Sequence, residues 1–274
     1  MGTRGPAIRL IAADMDGTLL DSSGRLPREF FRVVRLLAEH GVHFIIASGR
    51  RYENLRGQFP GLEDTLGFIS DNGSQGFYRG ECIFRRPIRR ERVLPLLAEL
   101  PPASGVSVLL AGVRNIFLRA ASPEGERETR RYFPDVACVP DPLAALGDEL
   151  LLKMALYDHR GIERSCGALR ARYGDEFHIA SGAADWYDVM PQEVNKGTAL
   201  EVFQRFFQVP PSECMAFGDY MNDLEMLLRC GFGYAMANGS PELRKRIVRQ
   251  APSNDDNGVL RVIAEHFGFS GFFR

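Results

Sequence analysis

Two aspartates two residues apart, Asp14 and Asp16, follow the apolar run Leu10-Ile11-Ala12-Ala13 and precede Gly17-Thr18. Placed at the end of a strand, they present two carboxylates to one mouth before the glycine turns the chain away. Two acids so close repel each other, and a divalent cation relieves the repulsion; an oxygen-only ligand set favours magnesium over zinc. An Asp-Gly turn with capping aspartates accounts for the same string without chemistry. A second cluster shifts that balance: Gly218-Asp219-Tyr220-Met221-Asn222-Asp223 follows another apolar run, Met215-Ala216-Phe217, and opens a helical pattern. Asp219 would reach the same metal, with Asn222 and Asp223 one turn further on serving water, lysine or supporting positions. Acidic residues suited to a helix N-terminus explain one such cluster but not both. Two further features suit phosphate. Lys196-Gly197 offers a point cation just before a helix, and Ser48-Gly49-Arg50 offers a hydroxyl and backbone N–H groups beside a helix start. Taken singly, the lysine reads better as a solvated side chain, and the serine reads equally well as a helix cap.

These residues need elements to position them. Short apolar runs bounded by turn residues predict buried strands at Leu10 to Ala13, Val42 to Ala47, Leu66 to Ile69 and Cys214 to Phe217, each followed by one of the polar segments or by Asp71-Asn72-Gly73. Helical spacing from Pro27 to His40, Gly197 to Phe207 and Met221 to Leu228 supplies the intervening helices. Strand and helix alternating, with polar residues after each strand, is the grammar of a doubly wound parallel sheet, whose ligands gather beyond the strands' carboxyl ends. From Phe77 the grammar lapses into a hairpin with Arg79-Gly80 at its turn. Helix candidates at Arg89 to Leu100, Pro123 to Phe133 and Arg160 to Tyr173 then alternate with strand candidates at Val106 to Leu110, Ile116 to Arg119, Leu150 to Tyr157 and Phe177 to Ala180, and the first pattern resumes after Trp186 to Met190. This stretch reads as a separate α+β unit inserted into the first, with crossings near Glu81 to Pro87 and Asp188 to Val194.

Length and composition agree with such an organisation. A chain of 274 residues with 45% hydrophobic and 25% charged residues has the profile of a globular protein of two modest domains. With 34 Lys plus Arg against 35 Asp plus Glu, no global field attracts nucleic acid or an anionic membrane, so an anionic ligand must be held locally. No apolar run approaches the roughly 18 to 20 residues of a membrane span, and Ile8 to Ala13, interrupted by Arg9, is too short for a signal-peptide core. Five scattered cysteines with no CxxC pair suggest neither a disulfide framework nor a zinc ribbon, which points to reduced cytoplasm. The histidines His40, His43, His159, His178 and His266 form no ligand spacing. Trp186 and Tyr187 read as packing at a domain junction, and Arg244-Lys245-Arg246 as a solvated helix face. Phe267, Phe269, Phe272 and Phe273 either cover an apolar surface or dock a partner.

In chain order, Asp14-Met15-Asp16-Gly17-Thr18, Ser48-Gly49-Arg50, Asn195-Lys196-Gly197 and Gly218-Asp219-Tyr220-Met221-Asn222-Asp223 resemble the four motifs of the haloacid dehalogenase superfamily. The α+β insertion between the second and third motifs, with Asn72-Gly73 and Asn254-Asp255-Asp256-Asn257-Gly258-Val259, is similar to the Cof-type sugar-phosphatase branch. Ala235-Met236-Ala237-Asn238-Gly239 departs from the Met-Gly-Asn-Ala pattern common after the fourth motif.

The resemblance implies an α/β core with a doubly wound, Rossmann-like parallel sheet, residues 1–83 and 189–274, and an inserted α+β cap, residues 84–188, that sets substrate choice. It implies that Asp14 takes the phosphoryl group as an aspartyl phosphate, while Asp16 protonates the leaving alcohol and later deprotonates the attacking water. It further implies Mg2+ held by the Asp14 side chain, the Asp16 backbone carbonyl and the Asp219 side chain. Ser48, Gly49 and Lys196 would bind the transferring oxygens, with Asn72, Asn222 and Asp223 in support. The expected activity is magnesium-dependent hydrolysis of small phosphorylated metabolites such as sugar phosphates, in the cytoplasm, with no nucleic-acid or membrane partner. Two other functions fit the same motifs: a sugar-phosphate mutase, which the superfamily includes, and a non-catalytic sensor of phosphorylated ligands. The intact Asp14, Asp16, Ser48, Lys196 and Asp219 argue against the sensor. Haloacid dehalogenation is disfavoured, because Asp16 has no task when halide leaves.

Overall fold

In the computed structural model, which describes residues 7–183 and 185–269, Leu10–Asp14 (β1) is a strand buried along its whole length. Its alternating side chains enter two cores: Ile11 and Ala13 join one, Leu10 and Ala12 the other. A strand apolar on both faces belongs inside a parallel sheet that helices cover on each side. The chain continues through Phe30–Glu39 (α1), His43–Ala47 (β2), Tyr52–Arg56 (α2), Leu66–Ser70 (β3), Gln75–Tyr78 (β4) and Glu81–Arg85 (β5). Next come Arg90–Ala98 (α3), Ser107–Gly112 (β6), Ile116–Arg119 (β7), Pro123–Tyr132 (α4), Ala137–Cys138 (β8), Pro142–Ala145 (α5), Leu151–Tyr157 (β9), Ile162–Tyr173 (α6), Phe177–Ala183 (β10) and Trp186–Pro191 (β11). It closes with Lys196–Phe207 (α7), Cys214–Gly218 (β12), Leu224–Leu228 (α8), Phe232–Met236 (β13), Pro241–Arg246 (α9), Arg249–Ala251 (β14) and Gly258–Phe267 (α10).

Two compact units result, Met1–Arg85 with Asn195–Arg274, and Arg86–Val194. The first holds a sheet in the order β14-β13-β12-β1-β2-β3-β4-β5. Pairings from β14 through β3 are parallel, and the β3–β4 and β4–β5 pairings are antiparallel. One face is covered by α1 and α10, which contribute Phe30, Val33, Val34, Leu37, Leu260 and Ile263; the other by α7 and α8, with Leu200, Phe203, Met226 and Leu227. The strand order reverses between β1 and β12, and in open α/β sheets that reversal opens the crevice where ligands bind. The hairpin turns through Arg79 and Gly80, at φ +52° and +78°, matching a two-residue primed turn.

The second unit is built on a sheet in the order β10-β11-β9-β6-β7-β8, antiparallel except between β7 and β8. Val93 and Leu96 of α3 and Ile162, Cys166 and Leu169 of α6 pack on one of its faces. The junctions fall at 85/86 and 194/195, two and six residues beyond the boundaries expected at 83/84 and 188/189. The second difference has a plain cause: β11 pairs with both β10 and β9, so the whole strand belongs to the insertion. Tyr187 is buried there, with its hydroxyl on Glu163, and Trp186 packs its ring against Tyr157 at 4.9 Å. In the first unit Phe267 and Phe269 stack on each other at 5.4 Å and lie against the core, whereas Phe272 and Phe273 lie outside the described residues. Among the described residues no helix is long and apolar enough to cross a membrane.

Candidate active site

β1 and β12 run side by side and end together, Ala13 opposite Phe217, so the segments that follow them share the crevice at the strand reversal. Asp14 closes β1. Its Oδ1 accepts a hydrogen bond from Lys196 Nζ at 2.5 Å, and the same ammonium reaches Asp223 Oδ1 at 2.6 Å. Lys196 opens α7, whose start is fixed by a reciprocal cap: Asn195 Oδ1 accepts from Thr198 N at 2.8 Å, and Thr198 Oγ1 accepts from Asn195 N at 3.3 Å. The lysine is 1% exposed, and a lysine is buried to that degree when its charge is paired. Burial works against its charge, but the carboxylates of Asp14 and Asp223 outweigh it and hold its pKa above the ordinary lysine value.

Asp219 follows β12. Carboxylate oxygens of Asp14, Asp219 and Asp223 all lie within 4.8 Å of one another. Asp223 has both oxygens engaged: Oδ1 on Lys196, and Oδ2 on the backbone N–H groups of Asp219 and Tyr220 at 3.0 and 3.1 Å. Asp219 Oδ1 accepts from Thr18 Oγ1 at 3.0 Å. Three acids share one ammonium, and the surplus negative charge shows in the titration of Asp14 and Asp219. Burial, then the neighbouring charge of Asp223, pushes the Asp219 carboxyl up to about 6. Burial likewise holds Asp14 well above the usual carboxylate range, against the pull of Lys196.

The turn between Asp14 and Thr18 leaves no slack. Gly17 adopts φ +78°, and a Cβ on it would stand 2.4 Å from Asp219 Oδ2. Asp16 is not one of the acids in this cluster. Arg50 grips its carboxylate with two donors, Nε to Oδ2 at 3.0 Å and Nη2 to Oδ1 at 2.5 Å, and the Asp16 side chain is 60% exposed. The spacing of Asp14 and Asp16 predicts two carboxylates facing one mouth; the structure gives each acid its own cation, one buried and one at the surface.

Ser48 is buried after β2, with its Oγ accepting from Arg50 N at 3.1 Å. Gly49 lies against Asn72, whose Nδ2 would be 3.1 Å from a Cβ on that glycine. Asn72 Oδ1 in turn accepts from Asn222 Nδ2 at 3.3 Å. The loops after β2, β3 and β12 are thus tied together through three of the residues singled out from sequence.

A family profile for haloacid dehalogenase-like hydrolases matches residues 11–263. The chain belongs to that family. Among curated relatives of this hydrolase, the 5-amino-6-(5-phospho-D-ribitylamino)uracil phosphatase YbjI of Escherichia coli (strain K12) is 28% identical, over 94% of this chain and 95% of the relative. The HMP-PP phosphatase of Yersinia pestis (strain Pestoides F) is 30% identical, over 87% of each. The crystal structure of SMU.1108c from Streptococcus mutans UA159 superposes with a TM-score of 0.86 at 26% identity, covering 96% of this chain and 100% of that one. By enzyme class this family member is a phosphoric monoester hydrolase, like its named relatives.

Several residues that brace the hydrolase's site appear in the sequence motifs without a role of their own. Thr18 holds Asp219, and Arg50 holds Asp16. Asn238 Nδ2 donates to Gly17 O at 2.7 Å while its Oδ1 accepts from Asn254 N at 3.0 Å, and Asn254 Nδ2 donates to Leu20 O at 2.9 Å. The segment that departs from the common family pattern therefore still supports the Asp14–Thr18 loop. A threonine, an arginine and two asparagines carry no local periodicity; their roles come from partners about 35 to 235 residues away.

Proposed function

We propose that this hydrolase is a magnesium-dependent phosphatase of small phosphorylated metabolites that works through an aspartyl phosphate on Asp14. The observation that carries the reading is the cluster at the β1/β12 crevice, where Asp14, held by Lys196, stands with Asp219 and Asp223 within 4.8 Å. The donor set fits a divalent cation. It consists of oxygens, it carries two more negative charges than Lys196 balances, and burial alone disfavours that excess. With both Asp223 oxygens engaged, Asp14 and Asp219 are the side chains free to hold the ion, together with the Asp16 carbonyl. When bound, magnesium would neutralise charge on the phosphoryl oxygens and on Asp14.

The chain's own residues divide the remaining work. An Asp14 oxygen forms the bond to phosphorus as the bond from phosphorus to the ester oxygen breaks, and Asp16 passes its proton to that oxygen. Water then attacks the aspartyl phosphate, Asp16 takes the water's proton, and inorganic phosphate leaves. Lys196, the Ser48 hydroxyl and the Gly49 N–H hold the transferring oxygens, where a loose transition state spreads its charge. Asp223, Asn72 and Asn222 keep those groups in place. The inserted unit, Arg86–Val194, is the determinant of substrate choice, and the cytoplasm is the compartment the reading implies.

A turnover screen with magnesium, repeated in excess chelator, tests the proposal. The compounds named by the relatives, HMP-PP and a phosphoribitylaminouracil, come first, followed by sugar phosphates, nucleotides, flavin mononucleotide and pyridoxal phosphate. Phosphate release that needs no added bisphosphate, stops in chelator and is lost in Asp14→Asn is the expected result. Turnover by Asp14→Asn would refute the assignment.

A further inference from the structure

We propose that Arg50 is a positioning residue for the reaction, fixing the plane of the Asp16 carboxyl group. The inference rests on the reading of Asp16 as the proton-transferring group and adds to it the residue through which that group is aimed. Asp16 is the most exposed acid of the site, on a backbone at φ −78° and ψ +122°, and among the described residues Arg50 is the side chain that its carboxylate hydrogen-bonds. A carboxylate at that exposure, left alone, samples several rotamers. Arg50 limits it with a two-pronged grip that matches the spacing of the carboxylate oxygens.

The other end of the grip is anchored. Arg50 N–H donates to Ser48 Oγ at 3.1 Å, Arg50 O accepts from Asp71 N at 3.0 Å, and Ser48 O accepts from Asn72 N at 3.0 Å. The guanidinium is therefore carried by a loop laced to the segment after β3, and it transmits that loop's fixed position to Asp16. A surface ion pair contributes little to stability, so an ordered, bidentate pair at this place is better explained by what it orients. Arg50 gives up no proton. It holds Asp16 so that the Asp16 proton passes to the ester oxygen as its bond to phosphorus breaks, and so that Asp16 later takes one from water. Lysine keeps the charge but lacks the fork.

The test compares an alkyl phosphate, whose alkoxide must be protonated to leave, with p-nitrophenyl phosphate, whose phenolate leaves unaided. Arg50→Ala should lower kcat/KM, which reports the phosphorylation of Asp14 alone, on the alkyl ester by about 10- to 100-fold, the scale of a catalytic group misplaced by about an ångström. Loss of kcat/KM on the aryl ester should be only a few-fold, whereas kcat should fall on both esters because both pass through the same aspartyl phosphate; the thermal midpoint should stay within a few degrees of wild type. Asp16→Asn should show the same leaving-group pattern. Adding Arg50→Ala to it should cost nothing more, because the two act as one unit. Arg50→Lys should fall between wild type and Arg50→Ala, and as a soluble variant it keeps the test open if the alanine protein folds poorly. Equal losses of kcat/KM on both esters, kcat/KM unchanged on both, or additive losses in the double variant would overturn the proposal. Should Asp16→Asn itself show no leaving-group pattern, the reading of Asp16 fails first, and the two failures are told apart by that variant alone.

Discussion

Lys196 Nζ stands 2.5 Å from Asp14 Oδ1, although 182 residues, including the whole inserted unit, separate them in the chain. The first core unit is therefore closed on itself by a buried charge pair made from its two halves. Removing one partner of such a pair leaves the other charge buried, at about 3–5 kcal/mol. Lys196→Met should lose stability on that order in denaturant titrations done in chelator, and less with magnesium, because the cation takes over part of the lysine's task. Its kcat should fall by at least about 100-fold. Stability unchanged in chelator would show that Asp14 and Asp223 do not depend on the ammonium.

The acids themselves predict a pH dependence for metal binding. Asp219 is pushed up to about 6, so proton and cation compete for it near and below that pH. Magnesium affinity, followed by calorimetry, should weaken as pH falls from 7 to 5, with proton release on binding. The sign for stability runs the other way. A carboxyl whose folded pKa is raised stabilises the fold below its unfolded value and loses that contribution as pH rises through about 6. In chelator, wild type should gain on Asp219→Asn as pH drops from 7 toward 4. Parallel stability curves for the two proteins would contradict the shift.

Gly17 offers a test of close approach. Its φ of +78° strains any other residue, and a Cβ would stand 2.4 Å from Asp219 Oδ2. Gly17→Ala should cost about 1–3 kcal/mol in stability and should depress magnesium affinity and turnover further, since the displaced atom is a proposed metal ligand. A variant with wild-type magnesium affinity would mean that Asp219 can retreat at no cost.

How much of this was legible in the sequence depends on whether a signal is local. Asp14 ends a wholly apolar strand and Asp219 follows another, and both positions could be read from pattern because a doubly wound sheet places such residues at its crevice. The hairpin at Arg79-Gly80 was readable from turn chemistry alone. Lys196 was different: one lysine before a helix reads as solvated, and only the spacing of the four motifs marked it, because its burial depends on Asp14 and Asp223. The pairing of Asp16 with Arg50 had no local sign. Beyond Leu228 the reading thinned for a physical reason. β14 is a three-residue edge strand with only Ala251 buried, and α10 begins after Asn257 at φ +56° with no side-chain cap, so neither carries a start signal.

The junctions give a prediction about how substrate choice can be moved. If Arg86–Val194 sets that choice, replacing it with the corresponding unit of a relative should change the ranking of esters while leaving magnesium dependence and Asp14 phosphorylation in place. Where the splice is made should matter. A cut at 188/189 divides β11, which pairs with β10 from Trp186 to Pro191 and with β9 from Trp186 to Val189, and so joins native and foreign sequence within both ladders. A cut at 194/195 keeps β11 whole and keeps Asn195, whose side chain caps the helix that delivers Lys196 to Asp14. Chimeras joined at 85/86 and 194/195 should therefore fold with a cooperative transition and turn over, whereas those joined at 83/84 and 188/189 should be less stable by more than about 2 kcal/mol, the loss of several core contacts. Specificity constants across one ester panel decide the functional half. A stable, phosphorylatable chimera that keeps the original ranking would place specificity in the parallel-sheet unit instead.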